Sequence, residues 1–224
     1  MITVHHLENS RSQRVLWLLE ELGLPYEVKR YQRDKKTSLA PPELLQVHPL
    51  GKSPVISDGD ITVAETGAIV EYLLDKVTGH ALKPAAGTAE HRRYTYWLHF
   101  AEGSAMSPLL MVLVFNRIKT APMPFFAKPI ARAIADKTLD GFVKPNIQRQ
   151  LAYMEAELAR RDWFCGDNFS AADVMISFPL EIAATRAGLD AQRYPKLSAF
   201  LDRSHARPAY QRALERGGPY VLMR

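Results

Sequence analysis

Of the 224 residues only one, Cys165, is a cysteine. A single sulfur excludes an intramolecular disulfide framework, a zinc ribbon and a Cys-x-x-Cys redox pair, each of which needs at least two. A reducing compartment is therefore expected. No run approaches the ~18 consecutive apolar residues that span a bilayer, and the opening MITVHHLENSRSQR lacks the basic-then-apolar layout of a secretory signal. A cytoplasmic location and no membrane partner are the expectation. Like charges never run beyond pairs such as Arg92-Arg93 and Arg160-Arg161, although the formal net charge is +5. Basic residues dispersed along helices make solvated faces, so no nucleic-acid partner is expected. The seven histidines show no ligand spacing. His5 and His6 adjoin on a strand and face opposite ways, while His91 and His99 have no acidic or cysteine partner at a useful interval, so no metal is expected.

The composition itself, 47% hydrophobic and 24% charged, is that of a globular chain. Its charge is uneven: residues 1–80 carry 9 Lys+Arg against 11 Asp+Glu (−2), and 81–224 carry 20 against 13 (+7). ITVHHL reads as a short strand. Asn9 and Ser10 are start signals for a helix in which Val15, Leu16, Leu18, Leu19 and Leu22 recur at helical spacing, and Gly23 and Pro25 end it. A strand at 26–31 completes a βαβ unit. After Pro41 and Pro42 a short helix is expected near 43–47, then strands at 54–57 and 61–64 around Asp58-Gly59, then a helix over 66–76. The order β-α-β-α-β-β-α is that of a thioredoxin-like domain with a four-stranded mixed sheet, assigned to residues 1–80. Residues 79–87 have linker composition. Residues 87–224 are assigned to an all-α domain with helices over 88–118, 136–160, 170–186 and 195–204, and the three prolines of APMPFFAKPIA (121–131) should break the chain there. Ser170 and Asp173 suit a capping box, and Cys165 a small buried side chain.

Four stretches taken together carry a resemblance over nearly the whole chain: NSRSQRVLWLLEELGLPYE, HPLGKSPVI, AETGAIVEYL and FCGDNFSAADVMI. In that order they resemble the cytosolic glutathione S-transferase family, most closely its bacterial and fungal serine-type members with an SRSxR opening. The resemblance implies an enzyme that holds glutathione as thiolate for attack on a hydrophobic electrophile, by conjugation or peroxide reduction. It implies glutathione as co-substrate with no other cofactor, a homodimer, and a place in detoxification. The competing class is a non-catalytic ligand-binding or regulatory protein of the same fold.

The implied site is built from the same stretches. A hydroxyl at the start of the first helix suits a thiolate, because the helix dipole and free N–H groups favour an anion there. Ser10 fits this role first, or else serves only as a helix cap. Asn9, onto which the usual serine position falls without a gap, is second and can donate an N–H. The absence of Tyr before Tyr26, and of Cys in residues 5–14, disfavours the tyrosine and cysteine types. Arg11 can add positive field or be a surface residue. The resemblance further implies a cis bond before Pro54, with the Ser53 main chain binding the cysteinyl part of glutathione like an added strand. Lys52 would lie near the glycine carboxylate or face solvent. Glu65 would pair with the γ-glutamyl ammonium, and Thr66 would bind the neighbouring carboxylate at a helix start. The electrophile is expected in an apolar hollow between the domains, with Met106, Leu110, Phe115, Phe125 and Phe126 as candidates.

Overall fold

The structure, a computed structural model, describes residues 1–222. Strands β1 (Ile2–Leu7), β2 (Tyr26–Tyr31), β3 (Val55–Asp58) and β4 (Ile61–Ala64) form one sheet in the order β2-β1-β3-β4. β1 runs parallel to β2 with Ile2 opposite Tyr26, and antiparallel to β3 with His5 opposite Val55. Helix α1 (Ser12–Leu22) makes the crossover between β1 and β2. Gly23 ends it at φ +64, a left-handed conformation that costs glycine little. The β3–β4 turn places Gly59 at φ +59, as the Asp-Gly hairpin signal requires. Helix α2 (Thr66–Asp75) follows, so the strands and the first two helices match expectation to within two residues.

From Ala89 onward the elements are helical: α3 (Ala89–Phe100), α4 (Met106–Thr120), α5 (Ala127–Thr138), α6 (Lys144–Leu158), α7 (Ala171–Arg186), α8 (Pro195–His205) and α9 (Pro208–Gly217). α3 and α4 are joined through a π-helical turn at Ala101–Ala105, and α5 and α6 through another at Leu139–Val143. Two expectations are corrected. Pro129 lies in the first turn of α5, where a missing N–H costs nothing, so the helix begins nine residues before position 136. α9 was not anticipated, although Pro208 at its first position is a start signal. A third concerns hydropathy. Ala89–Thr120 contains an 18-residue window of mean hydropathy 1.5, 39% buried, long and apolar enough by length and composition to cross a membrane. It lacks an uninterrupted apolar run yet has few charges to lower its average.

α7 is the axis of the helical part. Every residue from Ala171 to Ala183 is buried, and all but Asp173, Ser177 and Glu181 are apolar, as suits an enclosed helix. Its capping box forms, with one Asp173 oxygen accepting from both the N–H and the hydroxyl of Ser170 at 2.8 Å. α1 packs on α7 and α9, and its Val15, Leu16, Leu18 and Leu19 are all fully buried. Burial of each such side chain stabilises by roughly 1.5–3 kcal/mol. Trp17 meets Tyr210 of α9 edge-on at 5.1 Å.

Candidate active site

The turn between β1 and α1 holds Asn9 and Ser10. Asn9 has φ 50, which asparagine tolerates better than most residues, and its Oδ1 accepts from the Val221 N–H at 2.7 Å. α1 begins two residues beyond Ser10, a buried residue whose Oγ accepts from the Ser12 N–H at 3.2 Å, so it serves a donor at the helix start while bordering a cavity. The Ser10 and Ser12 hydroxyls are 2.7 Å apart, and Ser12 Oγ lies 2.8 Å from His6 Nδ1. With the imidazole proton on Nδ1, the donors run from His6 to Ser12 to Ser10, and the Ser10 proton is left for a ligand. Burial, and then the nearby Arg30 charge, lower His6 to about 4, so the ring is neutral at neutral pH.

That shift has a measurable consequence. A histidine whose folded value lies below its unfolded 6.5 leaves the unfolded chain binding more protons between about pH 4 and 6.5, so its contribution is lost as pH falls through that window. His6→Gln is expected to remove this dependence. The wild type should lose about 3 kcal/mol relative to the variant between pH 7 and pH 4. Urea unfolding of both proteins across that range checks it, and parallel profiles would refute it.

Two adjoining cavities open beside this turn, with Arg11 and Ser53 bordering both. The first, about 170 Å³, is lined by Lys52, Ser53, Pro54, Glu65 and Thr66 together with His48 and Glu102. All the glutathione-contact candidates therefore meet. The Ser53–Pro54 bond is cis. The Ser53 hydroxyl donates to the His5 carbonyl at 2.9 Å and accepts from the Leu7 N–H at 3.3 Å, which fixes its main chain just beyond the β1–β3 ladder. Glu65 has φ 71, a left-handed conformation that costs of order 1–3 kcal/mol for a residue with a side chain and is characteristic of functional sites. Thr66 is buried at the first position of α2, and Lys52 is exposed.

Arg11 does not stand free: its Nε is 3.3 Å from Glu102, which also pairs with Arg14. Burial alone would raise the Glu102 carboxyl, but Arg14 and Arg11 hold it below its usual value. Glu102 sits in the first π-helical turn, a distortion common at functional sites. Arg14, only 2% exposed, donates to the Met175 carbonyl at 2.8 Å and to Thr66 Oγ1 at 3.4 Å. Sequence reasoning missed it. Its signal was a charge four residues before Leu18 on the buried stripe of α1, which demands a partner.

The second cavity, about 220 Å³, holds Asn9, Ser10 and Met106. The other expected pocket residues are elsewhere. Leu110 is 51% exposed and lies outside the lining, where Leu113 takes its place. Phe115 packs against the core, while Phe125 and Phe126 are exposed at the turn before α5, touching each other. Helical stripes place α4 residues on a common face but do not say how far the neighbouring elements reach along it. The hollow is also more polar than expected, since Arg33, Arg117 and Arg186 line it.

Residues 1–75 match the model of the glutathione S-transferase N-terminal domain, and residues 110–208 that of the C-terminal domain. Glutathione S-transferase 3 of Schizosaccharomyces pombe is 36% identical over 217 residues, covering 96% of this chain and 88% of that one. Glutathione S-transferase 1 of Saccharomyces cerevisiae is 32% identical, covering 96% and 95%. The chain belongs to the glutathione S-transferase family. A crystal structure of a glutathione S-transferase from Actinobacillus pleuropneumoniae superposes with a TM-score of 0.79 at 33% identity, covering 97% and 93% of the two chains. A sphingomonad glutathione S-transferase complexed with glutathione gives 0.73 at 26%, covering 96% and 98%.

A glutathione transferase takes the reactive sulfur from its substrate, and this one has no thiol of its own to offer. Cys165 is buried, lies 3.2 Å from the Ser170 hydroxyl oxygen, and has its thiol pushed up to about 12 by burial and then by Asp173. Such a thiol holds almost no thiolate at neutral pH.

Proposed function

We propose that this glutathione transferase seats the tripeptide in the cavity of Ser53, Glu65 and Thr66, and activates its sulfur through the Ser10 hydroxyl. The observation that carries this is the junction of the two cavities: Ser53 and Arg11 border both, and Ser10 opens into the second beside them. The Ser53 main chain would pair with the cysteinyl unit as an added strand. Glu65 would take the γ-glutamyl ammonium, the Thr66 hydroxyl and N–H its carboxylate, and Lys52 the glycine carboxylate. A thiol of free pKa about 8.5 is then held as thiolate by hydrogen bonding and by the N-terminus of α1. In conjugation the sulfur lone pair forms the new bond to the electrophilic carbon, the leaving group departs with its electron pair, and the thiol proton passes to solvent. Holding both substrates in place supplies much of the rate. Asn9 is the second candidate, since its Oδ1 is occupied by Val221 while its amide N–H groups remain donors. Residues 1–80 would form the glutathione-binding unit and 87–224 the unit completing the electrophile site. A cytoplasmic homodimer acting on hydrophobic electrophiles in detoxification, by conjugation or peroxide reduction, is the setting that goes with this reading.

Ser10→Ala is expected to lower kcat for 1-chloro-2,4-dinitrobenzene about a hundredfold, the effect of removing one preorganised donor. The Michaelis constant for glutathione should move far less, and the thiolate absorbance of the bound tripeptide should appear only at higher pH. Full turnover in Ser10→Ala together with its loss in Asn9→Ala would hand the role to Asn9.

A further inference from the structure

Beyond Ser10, the second cavity combines an apolar wall with an unneutralised positive one. Met106 of α4 and Phe178 and Ile182 of α7 supply the apolar side. Facing it are Arg33 from the segment after β2, Arg117 from the last turn of α4, and Arg186 from the end of α7. Arg33 is held in place by Nε donating to the Glu8 carbonyl at 3.3 Å and Nη1 to the Ser38 carbonyl at 3.1 Å, and its Nη2 has no partner among the described residues. Its positive charge is disfavoured by burial, supported by Glu8, and disfavoured again by Arg117, which lines the same cavity. The Arg186 Nε is shielded from water without a hydrogen-bond partner, and burial lowers this arginine as well. No carboxylate lines the cavity among the described residues, and none forms an ion pair with Arg33, Arg117 or Arg186. Arg33 and Arg117, the latter exposed, repel one another, and Arg186 brings a third guanidinium to the same cavity, an arrangement that a ligand of opposite charge would complete. Each guanidinium offers a planar fork that matches a carboxylate.

We propose that the electrophile of this transferase is an organic anion: an apolar body resting on Met106, Phe178 and Ile182, with a carboxylate held by Arg117 and Arg186 and its reactive carbon turned toward Ser10. The inference rests on the seating of glutathione described above. It makes Arg117 and Arg186 determinants of specificity rather than of chemistry. The other anion within reach is the glycine carboxylate of glutathione itself, which the same experiment separates.

Two probes undergo the same aromatic substitution and differ by one ring carboxylate: 1-chloro-2,6-dinitrobenzene and 4-chloro-3,5-dinitrobenzoate. After normalising each to its uncatalysed rate, the wild type should favour the benzoate in kcat/KM. Arg117→Met and Arg186→Met should each lower that preference about tenfold, the scale of one charge-assisted hydrogen-bonded contact. Because the readout is a ratio measured on one preparation, partial misfolding of a variant cancels. Arg149→Met removes the same charge from an exposed position on α6 and should leave the ratio as it is. A wild type without preference for the benzoate, or arginine variants with an unchanged ratio, would overturn the proposal. So would a raised Michaelis constant for glutathione at a fixed ratio, which would assign the arginines to the tripeptide. Absence of turnover with both probes would instead strike the seating of glutathione, and the anion proposal would fall with it.

Discussion

Asp173→Ala should cost about 4 kcal/mol of folding stability, a large share of the 5–15 kcal/mol that a domain commands. The side chain is fully buried. One of its oxygens accepts from the Phe164 N–H at 2.8 Å, and the other from the N–H and the hydroxyl of Ser170 at the same distance. Alanine strands two main-chain donors and a hydroxyl in the interior, at about 1–3 kcal/mol for each unmade bond to a main-chain donor. It also removes the cap of α7, worth about 1 kcal/mol. Because α7 is enclosed on every side, its first turn cannot relax toward water to recover those bonds. Asp173→Asn keeps the shape and one acceptor, and roughly half the loss is expected. Urea midpoints measure both, and a loss below about 1 kcal/mol in the alanine variant would refute the account. The acid side carries a second signature. Burial pushes this carboxyl up to about 6 against its hydrogen bonds, so the fold binds a proton more tightly than the unfolded chain between about pH 4 and 6. Its contribution therefore falls as pH rises through that window, opposite in sign to His6. The two offset each other in the wild type, so the His6 effect is visible only as a difference from its variant.

The capping box belongs to what could be read from local sequence, because Ser170 and Asp173 lie three residues apart and need nothing distant. The strands were legible for the same reason: alternation fixes which side chains enter the core, and Asp58-Gly59 fixes the turn. The candidate glutathione contacts came through family likeness, and the structure brings Ser53, Pro54, Glu65 and Thr66 to one cavity with Lys52. What escaped was convergence. Arg33, Arg117 and Arg186 each look like an ordinary solvated charge at their own position, and only the packing of α4 against α7, with the segment after β2 beside them, makes them neighbours. Leu110 and Phe115 failed for a related reason, since helical spacing gives a face but not its occupant.

The charge asymmetry between the two parts of the chain also acquires a cause. Arg207, Arg212 and Arg216 surround the end of α1, with Arg207 bound to Glu21 at 2.6 Å and Arg212 to Glu20 at 2.7 Å. Arg216 reaches Glu20 at 3.4 Å and stacks over the Tyr26 ring at 3.7 Å. Part of the basic excess of residues 81–224 thus clasps the acidic excess of residues 1–80. The arginines are substantially exposed, so each pair contributes no more than about 1 kcal/mol, and their role is orientation more than strength.

Arg14→Met is expected to cost about 3 kcal/mol of stability and to raise the Michaelis constant for glutathione about tenfold, because Arg14 ties the sheet-bearing part to the helical one beneath the proposed glutathione cavity. Its guanidinium bonds the Met175 carbonyl of α7, the Thr66 hydroxyl of α2 and Glu102, and lies 5.1 Å from the centre of the Phe178 ring. Methionine fills much of the volume but leaves the carbonyl unpaired and gives Glu102 only the half-exposed Arg11. Breaking a buried pair usually costs about 3–5 kcal/mol, and the lower end applies because Glu102 is one-third exposed and water can reach it. Removing the carboxylate as well should return part of the loss, since the remaining cost of the single variant is a charge without its partner. A double-mutant cycle with Glu102→Gln therefore gives an interaction energy of about 2 kcal/mol if the pair is coupled. Additive losses would mean that Arg14 acts through packing alone. The kinetic half of the prediction separates further: a purely structural bolt would lower the amount of folded enzyme and leave the Michaelis constant unmoved, whereas loss of the Thr66 and Glu102 contacts displaces the groups proposed to face glutathione.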